Sequence, residues 1–128
     1  MRINVTAGDC LNDILANKYK NELFIPFREA LINGGYDSIA FTDEFIEKRI
    51  KALKTSKEEY LNKMSPFIDL LNNLNKYDEI VLWFGDEPFC RINRQFVLQC
   101  LRLNKFMGKV ILNIVDEETG SIIKRKDF

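Results

Sequence analysis

The chain has 128 residues, with 19 Lys and Arg against 19 Asp and Glu and no histidine. That length fits one domain with a real core, and a formal charge of zero supplies no overall positive field for nucleic acid or an anionic membrane. The absence of histidine excludes the Ser-His and Cys-His nucleophile systems, the common zinc sets and the usual general base near neutral pH.

Residues Arg2 to Ala7 place Ile3, Val5 and Ala7 on one face and Asn4 and Thr6 on the other before a turn at Gly8-Asp9, which predicts a first strand. Cys10 to Tyr19 carries Leu11, Ile14 and Leu15 at helical spacing behind Asp9, whose carboxylate suits the free amides of a first turn. Glu22 to Phe27 reads as a short second strand, at an edge or ending there because Pro26 cannot donate to a ladder. Asn33-Gly34-Gly35 is a turn signal, and the segment up to Thr42 reads as irregular.

Thr42-Asp43-Glu44 opens the main helical region, whose first apolar stripe is Phe45, Ile46, Ile50 and Leu53. Ser56 with Glu59 resembles a capping box that starts a second helix, with Tyr60, Met64, Phe67, Ile68, Leu71 and Leu74 on its stripe. Ser65-Pro66 interrupts it and predicts a kink or a restart. Glu79 to Phe84 is a third strand, apolar at successive positions and so buried on both faces. Pro88 falls in the first turn of a helix that buries Phe89, Ile92, Phe96, Val97, Cys100 and Leu101 and ends by Gly108. Val110 to Val115 is a fourth strand, Ser121 to Ile123 is placed to return antiparallel after a turn, and Lys124-Arg125-Lys126 reads as a solvated tail.

The resulting fold class is α/β: a mostly parallel sheet of four strands, five with the antiparallel return, flanked by helices in a Rossmann-like three-layer arrangement over residues 1–128. The longest purely apolar run, ending at Phe84, is far short of a bilayer span, so neither a membrane helix nor a signal peptide is expected. Three cysteines, Cys10, Cys90 and Cys100, form no C-x-x-C pair and fit reduced thiols in a cytoplasm.

Right-handed crossovers between parallel strands bring the exits of strands one, two and three to one edge of the sheet. Those exits carry Gly8-Asp9, Arg28-Glu29 and Gly85-Asp86-Glu87, and Arg49 on the next helix and Arg91 complete the candidate ligand-binding set of Gly8, Asp9, Arg28, Glu29, Arg49, Asp86, Glu87 and Arg91. A crevice with helix amides and guanidinium groups suits a phosphate or carboxylate, and Asp9 and Glu87 are placed to hold magnesium if a phosphate ligand brings the rest of the shell. The bland uses of the same residues are equally concrete: Asp9, Asp86 and Glu87 as helix caps, Arg28 and Glu29 as members of ion pairs, Trp83 and Phe84 as core, Cys10 and Cys90 as small apolar residues. No G-x-G-x-x-G, phosphate-loop lysine or metal-ligand motif occurs.

Ala7-Gly8-Asp9, Phe27-Arg28-Glu29-Ala30-Leu31, Phe45 with Arg49, and Glu79 to Phe84 leading to Phe89-Cys90 together resemble a bacterial family called domain of unknown function 1835. The resemblance covers nearly the whole chain up to about Ile114. It implies a small α/β domain of bacterial cytoplasm, with members that carry a further C-terminal region, and no established activity. Where the family has Glu, Asp and Gln after the Trp-Phe pair, this chain has Gly85, Glu87 and Arg91, so one carboxylate is lost and one positive charge gained.

Two functions follow from these residues. One is a small anionic ligand, a nucleotide or phosphorylated metabolite, held at the carboxyl ends of strands one to three. The alternative is a non-catalytic protein-interaction module whose strand-end charges are a structural ion-pair network, with a protein partner or a further C-terminal region as its counterpart. Nucleic acid would need Lys18, Lys20, Arg91, Arg94 and Arg102 to cluster, and the balanced charge argues against it.

Overall fold

The computed structural model describes residues 1–128. Its five strands form one sheet in the order β2-β1-β3-β4-β5, with β1 (Arg2–Thr6), β2 (Phe24–Pro26), β3 (Glu79–Phe84) and β4 (Lys109–Val115) parallel and β5 (Ile122–Asp127) antiparallel to β4. The strand-helix alternation thus yields the expected α/β, Rossmann-like arrangement.

The sheet carries two apolar surfaces because its central strands are inward-facing on both sides. On one, Ile3, Val5, Ile80, Leu82, Phe84 and Leu112 pack under the helices α2 (Asp43–Leu53), α3 (Lys57–Leu71) and α4 (Pro88–Leu103), whose stripes include Phe45, Phe67 and Phe96. On the other, Val81, Trp83, Ile111 and Val115 meet Leu11 and Leu15 of α1 (Asp9–Lys18), with Ala7, Tyr19 and Phe24 at the margin. One face is therefore covered by three helices and the other by one.

Local signals explain most boundaries. Thr42 Oγ1 accepts from the Phe45 amide and Ser56 Oγ from the Glu59 amide, so α2 and α3 begin at capped positions, while Lys54 in a left-handed conformation (φ 54°) ends α2. The short β2 lies at an edge of the sheet, where Pro26 forfeits no necessary bond.

Three expectations are corrected. The helix does not restart at Ser65-Pro66, and α3 runs through it. Proline removes the donor that the Asn62 carbonyl would have received, and Ser65 Oγ donates to that carbonyl instead, at 2.9 Å. Lys124, Arg125 and Lys126 are no tail: they pair with β4 through the backbone, while every residue of β5 remains exposed, and charges on an edge strand discourage pairing with another chain. Gly108 lies beyond the end of α4, and a Cβ there would stand 2.5 Å from the Asp78 carbonyl oxygen, so its glycine serves close backbone approach and not helix termination.

Candidate functional site

Because β1 runs through α1 to β2 on one side and β3 runs through α4 to β4 on the other, the chain diverges between neighbouring strands β1 and β3. In open α/β sheets the carboxyl edge at such a divergence is where ligands settle. Gly8 and Gly85 stand at that edge, followed by α1 and α4.

Neither helix start has the cap anticipated for it. Gly8 occupies the N-cap of α1, Asp9 is already helical and makes no capping bond, and Glu87 holds the N-cap position of α4 without a side-chain hydrogen bond. Asp9 is instead engaged by Arg28, whose Nε donates to Oδ1 at 3.0 Å and to Oδ2 at 3.2 Å. The guanidinium fork binds both carboxylate oxygens better than scattered amides do. Asp86 is drawn the same way: it accepts from Arg91 Nε at 3.2 Å and lies 3.6 Å from Arg94 Nη1, and the Arg91 hydrogen bond holds its carboxyl below the usual range.

Glu29 and Arg49 leave the edge altogether. Both are buried, with Arg49 1% exposed, and Nε and Nη2 of Arg49 donate to the two oxygens of Glu29 at 3.1 and 2.7 Å. Nη1 donates to the carbonyls of Asn33 and Gly35, both at 2.7 Å, and Nη2 to that of Ala30 at 3.0 Å. All five N–H donors of the guanidinium are thus consumed. Glu29 also accepts from Tyr60 Oη at 2.5 Å and from its neighbour's amide, Ala30 N, at 2.8 Å. Burial, and then the Glu29 carboxylate, raise the Tyr60 phenol far above its ordinary value. Asn93 of α4 completes the knot by donating to the Glu29 carbonyl and accepting from the Leu31 amide. The result fastens the irregular segment after β2 to α2, α3 and α4.

The candidates therefore separate into two groups. Gly8, Asp9, Arg28, Asp86, Glu87 and Arg91 lie around the strand ends, and Glu29 with Arg49 forms a closed buried pair. Sequence reasoning places Tyr60 on an apolar stripe and does not single out Asn93. Asn93 did carry a signal, since it falls between Cys90 and Val97 on the buried stripe of α4, where an amide needs partners, whereas Phe89, expected on that stripe, is exposed.

Gly85 permits a further approach. A Cβ at that position would lie 2.7 Å from Oε2 of Glu117, so the carboxylate from the loop after β4 occupies the space its side chain would take. Glu117 also approaches Cys90, whose thiol is pushed up to about 12 by burial first and by that carboxylate second. A helix start therefore does not make Cys90 a nucleophile.

No group of three or more Cys, Asp or Glu residues is arranged to hold a metal ion, and no helix is long and apolar enough to cross a membrane. Set against protein-family models, curated proteins and solved structures, the chain gives no match, and the resemblance to the domain of unknown function 1835 family stands on its motifs alone. Charged residues cluster near the strand ends of an α/β domain, an arrangement open to a ligand site or to an ion-pair network.

Proposed function

We propose that the chain is a non-catalytic interaction module whose strand-end charges pair with one another and not with a ligand. The observation that carries this reading is that each of these arginines already faces a carboxylate: Arg49 has no donor left, Arg28 pairs with Asp9, and Arg91 and Arg94 lie beside Asp86. An anion at Arg49 would have to displace the Glu29 carboxylate, and at Arg28 or Arg91 it would meet the negative charge of Asp9 or Asp86. Three thiols without a disulfide suit a reducing compartment such as bacterial cytoplasm, in keeping with the family resemblance.

Contact with a partner has a ready surface in the groove between α4 and residues 36–40, about 370 Å³ in volume, where the half-buried Tyr36 and the exposed Ile39 and Leu103 present apolar area. Thermal unfolding with inorganic phosphate, sugar phosphates and small carboxylic acids, with and without magnesium, tests the reading. No midpoint shift that Arg28→Ala removes is expected; a shift of several degrees that this substitution removes would overturn it.

One observation favours the anionic ligand as a second reading. Gly8 has φ 157° at the uncapped start of α1, and a Cβ there would meet nothing within 4 Å, so open space adjoins free helix amides. Under this reading phosphate binding would disappear in Gly8→Ala.

A further inference from the structure

The face of the sheet that α1 only partly covers holds a groove of about 400 Å³ over β1 and β3 and across β4 to β5. That volume is within the range of small-molecule sites. Its floor contains Asn113 of β4, 5% exposed, whose Oδ1 is buried without a hydrogen-bond partner.

The neighbouring buried amide shows how unusual this is. Asn4 accepts from Trp83 Nε1 at 2.9 Å and donates to the Leu23 carbonyl at 2.9 Å and to Glu22 at 3.1 Å, so it is fully engaged. Buried polar side chains as a rule find partners, and Asn113 lacks one for its acceptor although Ile111 and Val115 on the same face are apolar and pack normally. Rotation of its terminal amide presents either the acceptor or the donor to the groove.

Three other features define what would complete it. Tyr19, Phe24 and Trp83 form an aromatic cluster along one wall, with ring centroids 5.7 to 6.4 Å apart, which suits a planar ligand. Arg2 is spent, lying 3.0 Å from Glu79 and 3.7 Å from Glu22. Arg125 pairs with Asn113 across the two strands, and its one ion pair is an exposed contact with Asp127 at 3.2 Å, a weak claim on a guanidinium.

We infer that this groove is a binding site for a planar nitrogen heterocycle carrying an anionic group, with Asn113 reading the heterocycle edge and Arg125 the anion. Adenine is a suitable form of that chemistry, because its amino group donates and its ring nitrogens accept, so either orientation of the Asn113 amide finds a partner on its edge. The site is independent of the strand-end ion pairs and of the interaction surface above.

Titration of the full chain with AMP, and with adenosine as the phosphate-free comparison, tests it. Trp83 is the only tryptophan, so its fluorescence reports the groove directly. Saturable change with AMP is expected, with adenosine binding more weakly. Asn113→Leu should weaken both by about tenfold or more, and Arg125→Ala should bring AMP down to the level of adenosine without affecting adenosine. If the leucine variant does not fold, Asn113→Asp keeps the size, removes the amide donor and should show the same loss. Absence of a saturable change with either compound, or Asn113 variants that bind as the parent chain does, would overturn the site; equal affinity for AMP and adenosine in the parent chain would overturn the role of Arg125.

Discussion

Replacing Arg49 by methionine tests whether the buried pair is structural. Methionine fills most of the same space and removes the charge, leaving the Glu29 carboxylate with Tyr60 and the Ala30 amide as its remaining partners. It also strips donors from three loop carbonyls, those of Ala30, Asn33 and Gly35. Removing one member of a buried ion pair costs about 3–5 kcal/mol, a large share of the roughly 5–15 kcal/mol that stabilises a typical domain. With a urea slope of about 2 kcal/mol per molar, the unfolding midpoint should fall by about 2 M. Glu29→Gln combined with Arg49→Met should recover part of the loss, since no uncompensated charge is then buried, and the double-mutant cycle isolates the coupling. A loss below about 1 kcal/mol in Arg49→Met, the level of a solvated surface bridge, would refute the reasoning.

Tyr60→Phe deletes one donor to the same carboxylate and should cost about 1.5–3 kcal/mol in urea unfolding, the value of a hydrogen bond to a charged group. Arg28→Ala should lower stability by no more than about 1 kcal/mol, because its pair with Asp9 is at the surface; a loss as large as that of Arg49→Met would show a buried role. Cys90 and Cys100 both have thiols pushed up to about 12 by burial, against 9.0 in an unperturbed thiol. The unfolded chain then releases protons first, so stability should be full below about pH 9 and decline towards about pH 12, by at most ~1.4 kcal/mol per pH unit for each thiol. A variant with both replaced by alanine should decline less steeply, and in the folded parent chain only the exposed Cys10 should react promptly with a thiol reagent. Gly108→Ala should destabilise by about 1–3 kcal/mol because its Cβ meets the Asp78 backbone, whereas Gly85→Ala should cost less because the flexible Glu117 side chain can move aside.

Elements whose apolar period was unambiguous were legible in the sequence. The unbroken run from Ile80 to Phe84 announced a strand buried on both faces, and Thr42 and Ser56 marked helix starts that the backbone amides confirm. Pro26 correctly signalled an edge. Pro66 starts no new helix, and the sequence shows the missing donor but not the hydroxyl that compensates for it. The strand exits did bring Asp9, Arg28, Asp86 and Glu87 to one end of the sheet, yet which charge takes which partner depends on side-chain reach, and a carboxylate offered two roles chose the guanidinium over the helix cap. Arg49 was noticed because a charge flanked by Ile46 and Ile50 is out of place; its partners lie 14 to 20 positions away, a distance over which periodicity carries no information. Asn113 escaped notice because an alternating strand accommodates a polar residue without comment, and only the uneven covering of the two faces makes it conspicuous.

The strand order also governs the timing of assembly. β1 is second in the sheet but first to leave the ribosome, and the strand on its other side, β3, pairs Arg2 with Glu79, across more than half of the sequence. Only the short β2 is available to it early, through three register pairs. Closing so long a loop is slow, and until β3 is made one flank of β1 carries unpaired amides and carbonyls beside apolar side chains. Nascent chains stalled before β3 should therefore be the ones that chaperones hold and proteases cut.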